Sequence, residues 1–219
     1  MIHLFDPENK FWQFMAKVTD MVCMSLLWLV TSLPIVTMGA ATTSFYRFCT
    51  RQVLNTEGSV WKSYFKEFKR HFGKATLLWL IMLACTAFFT ADLWAVWNYF
   101  TVRGGPVAIG LMAVCGCVAL MVFSCSLYLF PLLAVFDFPL KKLLGNSFIM
   151  AMGNLHVTLT MAIMLALVAV GFYYVSGLLF LWVGLYVFFS SYLLVGVFLR
   201  YTGGEPEAGE EEDEAETSL

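Results

Sequence analysis

From Leu143 to Leu199 the chain runs 57 residues without a single Asp, Glu, Lys or Arg. No water-soluble fold of this size hides a stretch of that length. A bilayer core of about 30 Å is crossed by a helix of about 20 apolar residues, so the run is too long for one span and comfortable for two. The glycines and tyrosines of 171–177 mark the break between them. Three further uncharged runs precede it, Met21–Tyr46, Ala75–Ala91 and Gly104–Phe136. Together they predict an all-α, polytopic membrane bundle of about five transmembrane helices, near 21–43, 75–97, 107–131, 157–174 and 178–199. The whole bundle occupies residues 21–199. No ten-residue alternating pattern points to a membrane β-barrel. With 60% apolar and 13% charged residues, against about 25% charged in soluble domains, the composition excludes a soluble enzyme.

The formal net charge of −2 conceals a strong asymmetry. Eight acids lie between Glu205 and Glu216 with no base among them, which leaves 13 bases against 7 acids elsewhere. Residues 200–219 therefore read as a disordered acidic tail, too poor in apolar side chains to offset the entropy of ordering. The bases are also unevenly placed. Arg47, Arg51, Lys62, Lys66, Lys69, Arg70 and Lys74 fall between the first and second spans, Lys141 and Lys142 between the third and fourth, and Arg200 after the fifth. Lys and Arg are retained on the cytoplasmic side. Five spans then predict an outside N-terminus and a cytoplasmic tail. Pro34 complicates the first span, because it removes a backbone donor; a chain turning back there would keep the N-terminus inside and leave four crossings.

Two amphipathic segments flank the first span. Residues 1–20 suggest an interfacial N-terminal segment. Residues 59–74 form a basic elbow in which Trp61, Tyr64, Phe65, Phe68 and Phe72 recur at helical spacing while Lys62, Lys66, Lys69 and Arg70 lie off the stripe. Such a helix is expected to lie in the membrane interface, rings towards lipid and amines towards phosphates. The candidate surface for lipid or a partner is thus Trp61, Lys62, Phe65, Lys66, Phe68, Lys69 and Arg70, joined by Lys141 and Lys142 of the loop 137–146. An internal repeat is also suggested. Ile81-Met-Leu-Ala84 matches Ile163-Met-Leu-Ala166, and each copy follows a basic stretch and a helix ending in proline, at Pro34 and Pro131.

Residues Pro34 to Ser44 are the most unusual in local composition: a proline, then small residues and hydroxyls. Pro34, Thr37, Gly39, Thr42 and Thr43, with Pro131, form either a ligand segment or a close-packing segment. Chemistry is sparse elsewhere. His3, His71 and His156 have no metal-ligand spacing with a Cys or an acid, the six cysteines form no CxxC pair, and no P-loop, HExxH or GxSxG occurs. No catalytic residue, metal or cofactor is expected, nor a nucleic-acid partner. Asp92 and Asp137 sit at span ends, where water and headgroups solvate them.

Phe5-Asp-Pro-Glu-Asn-Lys-Phe11, Leu27-Trp-Leu29, Ser32-Leu-Pro-Ile-Val-Thr-Met-Gly-Ala-Ala-Thr-Thr43 and Phe130-Pro-Leu-Leu-Ala134 resemble the YesL family of bacterial integral membrane proteins, over the chain as far as about Leu199. The resemblance implies a non-enzymatic accessory or regulatory role beside carbohydrate uptake of the ABC type, with a transporter permease or a membrane sensor as partner. It carries over no catalytic or binding residue. The alternative expectation is a small transporter or channel with its site around Pro34–Thr43.

Overall fold

The computed structural model describes residues 10–54, 60–136, 138–174 and 179–201. Among these the chain is helical almost throughout, in seven α-helices: α1 (Lys10–Thr31), α2 (Met38–Val53), α3 (Val60–Arg103), α4 (Pro106–Val135), α5 (Leu140–Gly153), α6 (Leu155–Tyr174) and α7 (Leu179–Tyr201). Four stretches are long and apolar enough to cross a membrane: Tyr64–Val102, Ile109–Val135, Leu155–Tyr174 and Phe180–Tyr201. They correspond to the second to fifth expected spans. Of the expected break at 171–177, residues 171–174 belong to α6 and the others lie outside the description, as do the first nine residues and the acidic tail beyond Tyr201.

The first expected span, 21–43, does not form as one helix. Pro34 has no N–H to offer the ladder and takes an extended conformation (φ −76°, ψ 116°), so α1 stops at Thr31 and the chain turns through a short 3-10 segment, Ile35–Thr37, into α2. Trp28 Nε1 then donates to Thr42 Oγ1 at 3.1 Å and Gln52 Nε2 to the Lys17 carbonyl at 3.3 Å. Those two pairs straddle the turn symmetrically, which makes α1 and α2 an antiparallel hairpin. Irregular backbone is tolerated in an apolar setting only where its polar groups find partners. Here Thr37 Oγ1 donates to the Thr31 and Pro34 carbonyls (2.6 and 2.8 Å), and Trp79 Nε1 donates to the Ile35 carbonyl (2.8 Å).

The elbow also needs correction. Residues 60–74 are not a separate helix but the first third of α3, which continues unbroken to Arg103. At about 1.5 Å per residue its 44 residues trace about 66 Å, roughly twice the thickness of a hydrocarbon core. Nor does its apolar stripe face lipid alone. Tyr64, Glu67, His71, Ala75 and Leu78 are buried against the rest of the protein, a three- and four-residue spacing that defines the packed face.

The suggested repeat is not reproduced in helix order. Pro34 ends a helix, whereas Pro131 lies inside α4, which runs on to Val135. In the last turns of a helix a missing N–H removes one ladder bond without forcing a reversal. The loop expected at 137–146 is largely the start of α5. The α5–α6 junction is a tight corner at Asn154 (φ −126°, ψ 56°), held by Asn154 Nδ2 donating to the Met150 carbonyl at 3.3 Å. Between α3 and α4 the turn is Gly104–Gly105, both at positive φ (57° and 95°). Side chains there would be strained, and Pro106 follows as the first residue of α4, where its missing donor costs nothing.

The core collects Met24 of α1, Phe45 and Cys49 of α2, Leu78 of α3, Tyr128 and Leu132 of α4, Leu143 of α5, Met161 of α6 and Leu194 of α7. It is concentrated where α2 packs between α3, α4 and α7. Gly39 is central to it. A Cβ at this position would sit 2.6 Å from both the Ala75 carbonyl oxygen and Trp79 Cβ, so α2 and α3 meet at a distance only glycine allows.

Candidate functional site at the basic end of the bundle

The helix ends that carry the bases converge. Arg47 of α2 directs Nη1 at the Val135 carbonyl, 3.4 Å away at the end of α4. Its Nε stands 3.8 Å from Glu67 Oε1 of α3, and Arg51 Nη2 stands 3.7 Å from the same oxygen. His71 Nε2 lies 3.3 Å from Glu67 Oε2, one helical turn along α3; that is ion-pair range, though the approach lacks hydrogen-bond alignment. Just beyond Val135, Phe136 meets Phe198 of α7 edge to face (centroids 5.5 Å) and stacks on Phe138 (5.2 Å), which leads into α5. The end of α2, the first third of α3, the end of α4, the start of α5 and the end of α7 therefore form one end of the molecule.

The centre of this end is a buried carboxylate among cations. Glu67 is 5% exposed, Arg47 7% and His71 4%. Burial of charge is tolerated only with compensation. Two guanidinium groups on one carboxylate leave an excess of positive charge, and the Val135 carbonyl, at the negative end of the α4 dipole, offsets part of it. Sequence alone counts Arg47 and Arg51 among the bases between the first and second spans and gives Glu67 no role. A signal is present nonetheless: Glu67 is the one acid between Val60 and Lys74, and it falls on the same helical stripe as Tyr64 and His71 rather than among the lysines.

Around this buried centre lies an exposed basic rim. Lys66, Lys69, Arg70 and Lys74 of α3 are exposed, as are Lys141 and Lys142 of α5. Of the aromatic candidates, Phe68 turns inward and stacks on Tyr64 (6.2 Å, 21°), while Phe65 stays exposed. Tyr64 itself is tied to α1, its hydroxyl 2.6 Å from that of Thr31. Trp61 and Lys62 belong to α3, but their side chains lie outside the description. Asp137, the first residue of the expected loop, does also.

The Pro34–Thr43 segment is placed elsewhere, at the α1–α2 turn. Its hydroxyls are engaged within the protein. Thr37 holds the turn, Thr42 donates to the Met38 carbonyl (2.8 Å) while accepting from Trp28, and Thr43 donates to the Gly39 carbonyl (2.9 Å). Pro131 is buried in α4 and does not adjoin these hydroxyls through any described hydrogen bond. The geometry of this segment is that of a close-packed turn, with Gly39 as its contact point on α3.

Comparison with known proteins agrees with the motif resemblance. Residues 21–93 match a family described as a protein of unknown function, DUF624. The match takes in the second half of α1, all of α2, Glu67 with Arg47, Arg51 and His71, and most of α3. The chain is 26% identical over 166 residues, covering 74% of its own length and 76% of the relative's, to the Uncharacterized protein YesL of Bacillus subtilis (strain 168). No solved structure matches.

Proposed function

Taking the chain as a YesL-like, multi-helix membrane protein, we propose that it is a non-enzymatic accessory or regulatory protein of the bacterial plasma membrane that binds a partner membrane protein through its basic end. The partner class suggested by the family resemblance is the permease of an ABC-type carbohydrate uptake system. One observation carries the reading: the bases of three separate sequence segments gather at a single end, where buried Arg47 ties α2 to Glu67 of α3 and to the Val135 carbonyl of α4. A basic rim on a rigid base suits a docking surface better than a loose connector, since pre-ordered side chains lose less freedom on binding.

The proposal includes a sidedness. Basic residues are held on the cytoplasmic face, so the basic end lies inside. With α1 and α2 paired as a hairpin and four helices crossing, both chain ends lie on that face. Reporter fusions at each terminus, read in intact cells, are expected to report the cytoplasm at both; opposite compartments would restore a full crossing by residues 21–43. The partner is tested by mild crosslinking of the tagged protein in native membranes, then purification. Co-isolation of a transporter permease, weakened when Lys69, Arg70, Lys141 and Lys142 are all changed to Glu, supports the reading. Recovery of this chain alone, with the same yield and assembly in the charge-reversed form, overturns it.

A further inference from the structure

We infer that the acidic C-terminal segment of this chain, Glu205–Glu216, docks on the basic end of its own bundle, and so competes with whatever else that surface binds. This goes beyond the accessory role and does not depend on any partner. It rests on charge complementarity and on where α7 ends. Eight carboxylates without a base follow Arg200 in sequence, while the exposed Lys66, Lys69 and Arg70 of α3 and Lys141 and Lys142 of α5 face outward from the same end.

The last turn of α7 is anchored on the residues that flank α5. Phe198 packs on Phe136, beside the start of α5, and the Tyr201 hydroxyl accepts from Asn154 Nδ2 (3.2 Å) at the close of α5. The last described residue, Tyr201, therefore lies against the end of α5. Arg47 bridges the Val135 carbonyl, next to Phe136, to Glu67, and Glu67 lies between Lys66 and Lys69 in sequence. Eighteen residues follow Tyr201, enough to reach about 60 Å if extended, so every base of the rim is within range. Without this segment the chain carries six more bases than acids, and Lys66, Lys69, Arg70, Lys141 and Lys142 among them are exposed. Several weak, exposed pairs made by one tethered segment add, because each after the first forms at high effective concentration.

The test uses the full chain, one copy per nanodisc of zwitterionic lipid. A zero-length carbodiimide joins carboxylates to lysines in contact, and mass spectrometry of the peptides locates the links. Links from Glu207–Glu216 to Lys69, Lys141 or Lys142 are expected at low salt. They should fall about 5-fold or more on moving from about 0.01 M to about 1 M salt, as the Debye length shrinks from about 30 Å to about 3 Å. They should fall similarly in Arg70→Glu/Arg200→Glu, which keeps every reactive lysine; retention of the Asn154–Tyr201 corner, read from an unchanged melting profile, separates this from misfolding. Two results would each overturn the inference: tail links no more frequent at low than at high salt, or links that form only when two copies share a disc.

Discussion

The two ends of α3 are built on opposite plans. Its first third lies in a thicket of helices, with Tyr64, Glu67, His71, Ala75 and Leu78 buried against neighbours. Beyond Trp79 it runs beside the first half of α4, where Asp92 meets Cys115, and Leu80, Phe88, Trp94, Leu111, Val114 and Leu120 are all exposed on that hairpin. Each end holds a carboxylate. Glu67 is buried among Arg47, Arg51 and His71; Asp92, some 25 residues further along the helix, accepts from the Cys115 thiol at 3.2 Å. At about 1.5 Å per residue the two acids are separated by about 38 Å of helix, close to the thickness of a bilayer with its interfaces. Between them, 75–91 is free of charge. The contrast teaches that one end of this molecule is specified by protein–protein packing inside the chain and the other by apolar surroundings that need only be greasy.

The sharpest way to break that comparison is at Glu67. Glu67→Gln removes the carboxylate charge that the two guanidinium groups share, taking from the buried Arg47 its counter-charge on α3. Loss of one partner from a buried pair costs about 3–5 kcal/mol. The expectation is a large drop in thermal stability in detergent, partly recovered when Arg47→Met is added, since an apolar replacement of the whole pair is often tolerated. A Glu67→Gln variant as stable as the parent would mean that the cluster is solvated and that the basic end has no structural centre. Glu67 is also the residue whose role is least legible in sequence. An apolar stripe looks the same whether it meets lipid or protein, so the aromatic face of the elbow can be read from spacing while its destination cannot.

A second strong effect is expected at Gly39. Any side chain there meets the Ala75 carbonyl and Trp79 Cβ, and overpacking a close contact costs about 1–3 kcal/mol. Gly39→Leu should therefore separate α2 from α3, with destabilisation above that of Gly110→Leu, whose Cβ would meet open space. Equal effects at the two glycines, in the same melting assay, would remove the distinction between the packed end and the hairpin. Gly39 illustrates how the rest of the fold escapes sequence reading. Uncharged Met21–Tyr46 reads as one span because charge says nothing about a turn inside an apolar segment; Pro34 is the visible hint, and the hydroxyls that close the turn look equally suited to a ligand. The second and third spans are legible because charge bounds them, and the fourth and fifth because one uncharged run is long enough for two, with glycines and tyrosines between them. The short helix α5 is not, since its apolar face merges into the 57-residue run that follows Lys142.

Smaller, and confined to the turn, is the effect of Trp79→Phe. The ring is largely preserved and the hydrogen bond to the Ile35 carbonyl is lost. A net loss of about 1 kcal/mol is expected, together with faster hydrogen exchange at the Thr37 amide, which bonds back to Pro34 across the same turn. Unchanged exchange there would show that Thr37 closes the turn unaided.

The smallest effect is expected where the comparison is most direct, at Asp92. Asp92→Asn repeats the chemistry of Glu67→Gln, a carboxylate exchanged for its amide, at the other end of the same helix. The amide oxygen still accepts from Cys115, so the described hydrogen bond survives, and Asp92 is only partly buried. A substitution that breaks no buried network shifts stability by about 0.5 kcal/mol or less. Melting curves of the two variants in one detergent should thus show much the larger loss for Glu67→Gln. A comparable loss at Asp92 would place an unrecognised cationic partner on the hairpin, and that end would then have to be regarded as a contact surface in its own right rather than as a lipid-facing arm.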